Sequence, residues 1–168
     1  MSLWLLSLAL AGTHEAYGGF RFDGHQSLTH VGLGLGGQAG YRYRTGKVTV
    51  GGAQLWGDWA GRFAVVSEAE VGVSPWARPE QAARWAMRPW VGLEGVLWFT
   101  PYRVARADVP DPGWAVFSPR LALRPLVFES GGGLTLSALE VSLGVGAEAP
   151  GRSVSGGLNL VVVGARWN

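Results

Sequence analysis

The chain has 168 residues, room for one domain. Charged residues make up only 15% and hydrophobic residues 48%, with a net charge of +2, which argues against an ordinary water-facing surface and against a nucleic-acid binder. The absence of cysteine excludes a disulfide framework, a thiolate metal site and a lipoprotein anchor.

No apolar run reaches the roughly 18 residues of a membrane-crossing helix. A chain this apolar has one other way to span a bilayer, a closed β-barrel that satisfies every backbone group between strands. Its 27 glycines weaken helices and suit tight turns and a crowded interior. Residues 1–11 carry a short apolar run, Leu3 to Leu10, and the small-x-small pattern Ala9-Leu10-Ala11. They read as a signal peptide, although no basic residue precedes the run; a first strand or a tail is the alternative. Residues 12–168 then form one barrel domain.

Eight strands are predicted from alternation and turn signals. The first, Glu15 to Asp23, sets Ala16, Gly18, Phe20 and Phe22 on one face. The second, Leu28 to Arg44, contains thirteen strictly alternating residues from Val31 to Tyr43. Val31, Leu33, Leu35 and Tyr41 fall on its apolar face; Gly32, Gly34, Gly36, Gln38, Gly40 and Arg42 fall on the other. A soluble strand averages about five or six residues, whereas roughly 9–11 cross a bilayer at a tilt. Thr45-Gly46-Lys47 turns into the third strand, Val48 to Trp59, and Ala60-Gly61-Arg62 into the fourth, Phe63 to Ser74. Pro75 to Arg88 follows, and its stretch Pro79 to Met87 reads as a short helix opened by proline. The fifth strand, Pro89 to Thr100, sets Val91, Leu93, Leu97 and Phe99 opposite Glu94. Pro101 to Gly113, with three prolines, is a long loop. The sixth strand, Trp114 to Glu129, is the least regular, because Pro119 and Pro125 each remove a ladder donor. Ser130-Gly131-Gly132-Gly133 turns into the seventh, Leu134 to Ala147, and Ala149-Pro150-Gly151 into the eighth, Ser153 to Trp167.

Alternation does not say which face is wet, since a soluble lipocalin-type barrel alternates with its apolar face inward. Here the polar face is mostly small residues with charges that nearly balance, a poor exterior for water. Gln38, Arg42, Arg44, Glu68, Glu70, Glu94, Arg120, Arg124 and Glu140 are therefore predicted to form a paired network in a narrow lumen. Trp56, Trp59, Trp76, Trp85, Trp90, Trp98, Trp114, Phe128 and Trp167 sit near predicted strand ends, as in the aromatic girdles of membrane barrels. The two long connections, Pro75–Arg88 and Pro101–Gly113, must face opposite ends.

In these features the stretch from Glu15 to Asn168 resembles the small eight-stranded outer-membrane β-barrels, of the type of the transmembrane domain of outer-membrane protein A. The resemblance rests on architecture and pattern. It implies an outer-membrane location in a Gram-negative-type bacterium, contact with the lipid bilayer and insertion by the barrel-assembly machinery. Trp167 matches the family's terminal aromatic except that Asn168 follows it.

The expected role is structural, anchoring or adhesive, without catalysis, cofactor, metal or nucleic acid. Eight strands leave an interior that side chains fill, so a conducting pore is not expected. Among the three histidines, His25-Gln26-Ser27 resembles the His-x-Ser pair of lipid A deacylase barrels, but it lies in the first turn rather than near the last strands. A lipid-modifying enzyme and a soluble lipocalin-like binder are the alternatives.

Overall fold

The computed structural model describes residues 12–26, 31–59, 62–75, 85–99, 115–148 and 151–168. Its elements are all strands: β1 (Thr13–Gln26), β2 (Val31–Thr45), β3 (Val48–Trp59), β4 (Arg62–Val73), β5 (Trp85–Met87), β6 (Trp90–Phe99), β7 (Ala115–Arg124), β8 (Leu126–Ser130), β9 (Leu134–Glu148) and β10 (Gly151–Trp167). Every pairing is antiparallel, and β10 pairs with both β9 and β1, so the sheet closes on itself. β6 pairs with β7 and β5 with β8, while β7 and β8 both pair with β9. The ten segments thus fill eight positions, or staves, and the protein is a closed eight-stranded barrel.

The two broken staves have proline at the break. Arg88-Pro89 separates β5 from β6, and Pro125 separates β7 from β8. Proline lacks the N–H that continues a ladder, so the predicted sixth strand divides at Pro125. Pro119 does not divide it; it lies opposite Gly95 within the β6–β7 ladder. The helix predicted over Pro79 to Met87 is corrected at its end, where Trp85, Ala86 and Met87 form β5 against Phe128, Glu129 and Ser130. The rest of that prediction lies outside the described residues, as do the leader at 1–11 and the loop from Pro101 to Gly113.

One end of the barrel, the terminal end, holds Thr13, the β2–β3 turn, the start of β5, the β8–β9 turn and Trp167. The opposite end holds the connections 27–30, 60–61, 100–114 and 149–150. The long connections therefore do leave from opposite ends. Gly46 closes the β2–β3 turn at φ +58° and Gly133 the β8–β9 turn at φ +87°, backbone that L side chains rarely adopt.

The alternation has the same prevailing sense in every stave: large apolar residues mostly point out and charged residues mostly point in. Phe20, Leu33, Leu35, Val50, Phe63, Val71, Leu93, Leu121, Leu143 and Val163 are exposed, Leu33 at 72%. Arg21, Asp23, Arg42, Glu70, Arg120 and Arg124 are buried, Arg120 at 1%. A lipocalin-type barrel would have the reverse sense. A small apolar layer also lies inside, made of Leu55, Val66, Val96, Ala64 and Val162.

The phase shifts once in β9 and β10. Inward residues change from Thr135 and Ser137 to Glu140 and Ser142, and from Asn159 to Val162, where Leu160 and Val161 are both exposed. The β1–β10 register slips at the same level, between Gly19 and Arg21, and Leu139 takes φ +57°. Positive φ is uncommon for a leucine. Such a bulge re-aims side chains, and here it turns Glu140 and Asn159 inward.

Candidate functional site

The polar lumen is the candidate site, and its charged members come from every stave except β3. Glu70 on β4 holds two arginines. It accepts from Arg42 Nε of β2 at 2.8 Å and from both terminal nitrogens of Arg124 of β7, one at 3.3 Å. Glu140 on β9 lies 3.5 Å from Arg42 and 3.3 Å from Arg124, and accepts from Asn159 Nδ2 at 3.0 Å. Both guanidinium groups also lie on aromatic rings. Arg42 sits 3.7 Å from the Tyr17 centroid and Arg124 4.0 Å from that of Trp90, both cation–π distances.

Further toward the opposite end, Arg21 of β1 pairs with Glu68, lies 3.3 Å from Glu94, and donates to Ser142 at 3.0 Å. Its Nε is 3.0 Å from Asp23, which in turn receives Arg120 Nη1 at 2.6 Å. Arg120 Nε donates to Ser155 at 3.1 Å, and Ser155 bonds Ser118. Glu94 also lies 3.8 Å from Arg124, which joins the two clusters.

A third cluster closes the terminal end. Buried Glu129 of β8 pairs with Arg44 of β2, four staves away around the ring, with Arg88 at 2.8 Å and with Arg166 at 2.7 Å. Across the three clusters the described ion pairs join seven arginines to seven carboxylates, counting Glu15 at 3.8 Å from Arg42. Carboxylate oxygens of Glu68, Glu70 and Glu94 come within 4.8 Å of one another, close enough for a cation. Guanidinium groups of Arg21, Arg42 and Arg124 already supply positive charge there.

Inward glycines make room for the large side chains. A Cβ on Gly40 would come within 2.4 Å of the Tyr17 ring, and one on Gly72 or Gly92 within 2.4 Å of Trp90. On Gly157 it would meet the Arg21 guanidinium at 2.3 Å. The lumen is thus packed stave against stave rather than left open.

Of the residues named from sequence, Gln38, Arg42, Glu68, Glu70, Glu94, Arg120, Arg124 and Glu140 are buried inside, and Arg44 is half-buried at the terminal end. Ion pairs, with Arg21 and Asp23 as links, join Arg42, Glu68, Glu70, Glu94, Arg120, Arg124 and Glu140; Arg44 pairs separately with Glu129, and the buried Nε2 of Gln38 has no hydrogen-bond partner among the described residues. Sequence reasoning missed Glu15, Arg21, Asp23, Arg88, Glu129 and Arg166. Arg21 and Asp23 share the phase of Glu15 and Tyr17, so continuing the alternation of the first strand would have found them. Glu129 follows the Pro125 break, where phase is lost.

The rim aromatics divide. Trp90 is corrected: it is 3% exposed and lies in the lumen, because it shares the phase of Gly92 and Glu94, not of Val91 and Leu93. Trp56 and Trp167 do face outward, and Phe128 is half-buried in β8. Trp167 stacks on His14, with centroids 5.9 Å apart and planes 15° apart, and His14 bonds the Tyr41 hydroxyl. Tyr43 lies against the same imidazole. Trp59, Trp85 and Trp98 are described by backbone position alone, and Trp76 and Trp114 lie outside the described residues. Ser27 also lies outside them, and only the backbone of His25 and Gln26 is described.

No family model matches the chain, and no curated protein matches it. Among solved structures it is similar to Neisserial surface protein A, with a TM-score of 0.60 over 92% of this chain and 96% of that one, at 11% identity. At that identity the likeness is one of fold. The chain is a closed eight-stranded antiparallel barrel with the architecture of the small outer-membrane barrels.

Proposed function

We propose that the chain is an integral outer-membrane barrel that acts as a rigid, non-catalytic anchor and presents its connections at the cell surface. The observation that carries this is the inside-out partition: an apolar exterior around seven arginines and seven carboxylates paired across the lumen. Soluble monomers seldom expose a contiguous apolar patch above a few hundred Å², and here the apolar face follows every stave. In a bilayer that same face is solvated by acyl chains. The cluster of His14, Tyr41, Tyr43 and Trp167 suits the headgroup level at the terminal end. The likeness to a surface protein agrees with this location. Its partners are the bilayer and, during insertion, the barrel-assembly machinery.

The filled lumen favours an anchor over a pore. Arg42, Arg124 and Tyr17 occupy the cross-section that a solute would need. The full chain is expected to remain with membranes after a carbonate wash and to give no unitary current in planar bilayers. Recovery in the aqueous fraction without detergent would refute the membrane reading, and stable single-channel steps would refute the closed lumen.

A further inference from the structure

Two polar side chains interrupt the apolar exterior away from its rims. Gln54 on β3 is exposed on the outer face, and its Nε2 donates to the Ser67 hydroxyl of β4 at 2.9 Å. The two residues lie directly opposite each other in the β3–β4 ladder. Along the outer face of β3, Gln54 stands between Gly52 and Trp56, with Val48 and Val50 on one side and Asp58 at the far rim. Along β4, Ser67 stands between Val65 and Ala69. Among the described side chains, the outer positions of β6, β7, β9 and β10 carry no polar group between their rims.

A carboxamide facing acyl chains leaves a carbonyl and an N–H without partners, which is costly where no water can replace them. One bond to Ser67 satisfies one donor only. Around it the outer residues are small: Gly37 and Ala39 on β2, Gly52 on β3 and Ala69 on β4. Gly37 has open space where a Cβ would stand. Larger residues flank this area, with Tyr41, Val50 and Val71 toward the terminal end and Leu35, Trp56 and Val65 toward the other. The result is a patch of small residues around one exposed hydrogen-bonding group. In membranes small residues permit close approach and polar side chains bond across the contact.

We infer that the outer face of β2–β4 centred on Gln54 is the contact between two copies of this chain in the membrane. The occupant follows from symmetry and from the amide. A two-fold axis along the bilayer normal sets each residue against its own copy at the same depth. A carboxamide both donates and accepts, so Gln54 complements a second Gln54. An acyl chain offers neither group.

This inference rests on the membrane-barrel reading, and its test separates the two. The chain has no cysteine, so single-cysteine variants report cleanly. Ala39→Cys, exposed on β2 directly opposite Gln54 and leaving the carboxamide in place, is compared with Leu121→Cys, which is exposed on β7, four staves from β2. Both are oxidised in native membranes with copper–phenanthroline. Each variant must first remain with carbonate-washed membranes; loss of both from them would overturn the membrane reading and the contact with it. Retention, with several-fold more disulfide-linked dimer at position 39 than at 121, is the expected result. Retention with equal or no cross-linking at the two positions would overturn the contact alone. A cysteine-free check uses Gln54→Leu, which should shift the detergent-extracted protein from dimer toward monomer in sedimentation. An unchanged distribution, or a wild type that is already monomeric there, would overturn it.

Discussion

Glu70 and Glu94 face the same lumen, yet the structure ranks them differently. Glu70 receives Arg42 and Arg124 in direct hydrogen bonds, and both arginines are buried. Glu94 stands 3.3 Å from Arg21 and 3.8 Å from Arg124, each of which has a nearer carboxylate. Removing one partner of a buried pair leaves an uncompensated charge, at about 3–5 kcal/mol. Glu70→Ala should therefore lose on that order in urea unfolding of the reconstituted barrel, and Glu94→Ala clearly less. Equal losses would show that the charges act as a diffuse pool rather than as specific pairs. Part of this network, including Glu70 and Glu94, was legible in the sequence, because the polar phase of most strands could be read and opposite charges counted. The pairing was not legible, since Arg21 and Glu68 are far apart in the chain and meet only when the sheet closes. Trp90 shows the opposite failure. Its position at a strand end suggested a rim, but its phase, shared with Glu94, places it inside over Gly72 and Gly92.

At the scale of elements, strict alternation made β2 readable, and the prolines mark where reading failed. β7 and β8 are one stave divided at Pro125, and Glu129 lies beyond that break. The phase shift in β9 and β10 was equally hidden, because a bulge leaves no fixed residue signature and Leu139 is an unusual residue for φ +57°. The β2–β3 and β8–β9 turns were legible, and one of them supports a sharp comparison. Gly133 has φ +87°, and a Cβ there would come within 2.7 Å of the Arg166 carbonyl oxygen. That carbonyl belongs to the residue whose N–H bonds Gly133 and whose guanidinium pairs with Glu129. Gly131, two residues earlier, has open space at its Cβ position. Gly133→Ala is expected to cost at least about 1 kcal/mol from backbone strain alone, and Gly131→Ala close to nothing. Matching unfolding midpoints for the two variants would show that this turn does not hold β8 and β9 in register.

For the whole molecule, the even number of staves has a topological consequence. Thr13 and Trp167 lie at the same end as the β2–β3 and β8–β9 turns, and the β9–β10 connection lies at the other. If the barrel is inserted into an outer membrane as proposed, it need carry only the connections of the far end across the bilayer, so the terminal end should face the periplasm. Loop length does not settle this direction, because each end has one long connection. The two ends can be distinguished with single cysteines and a membrane-impermeant maleimide on intact cells. Lys47→Cys and Gly131→Cys lie on exposed turns of the terminal end, and Glu148→Cys lies where β9 ends at the other. Only Glu148→Cys should label in intact cells, and all three should label once the outer membrane is permeabilised. Labelling of Lys47→Cys and Gly131→Cys in place of Glu148→Cys would keep the barrel and reverse its orientation. If Lys47→Cys and Gly131→Cys behaved differently from each other, the closed ring itself would fail, because in an eight-stave barrel both turns open on one side.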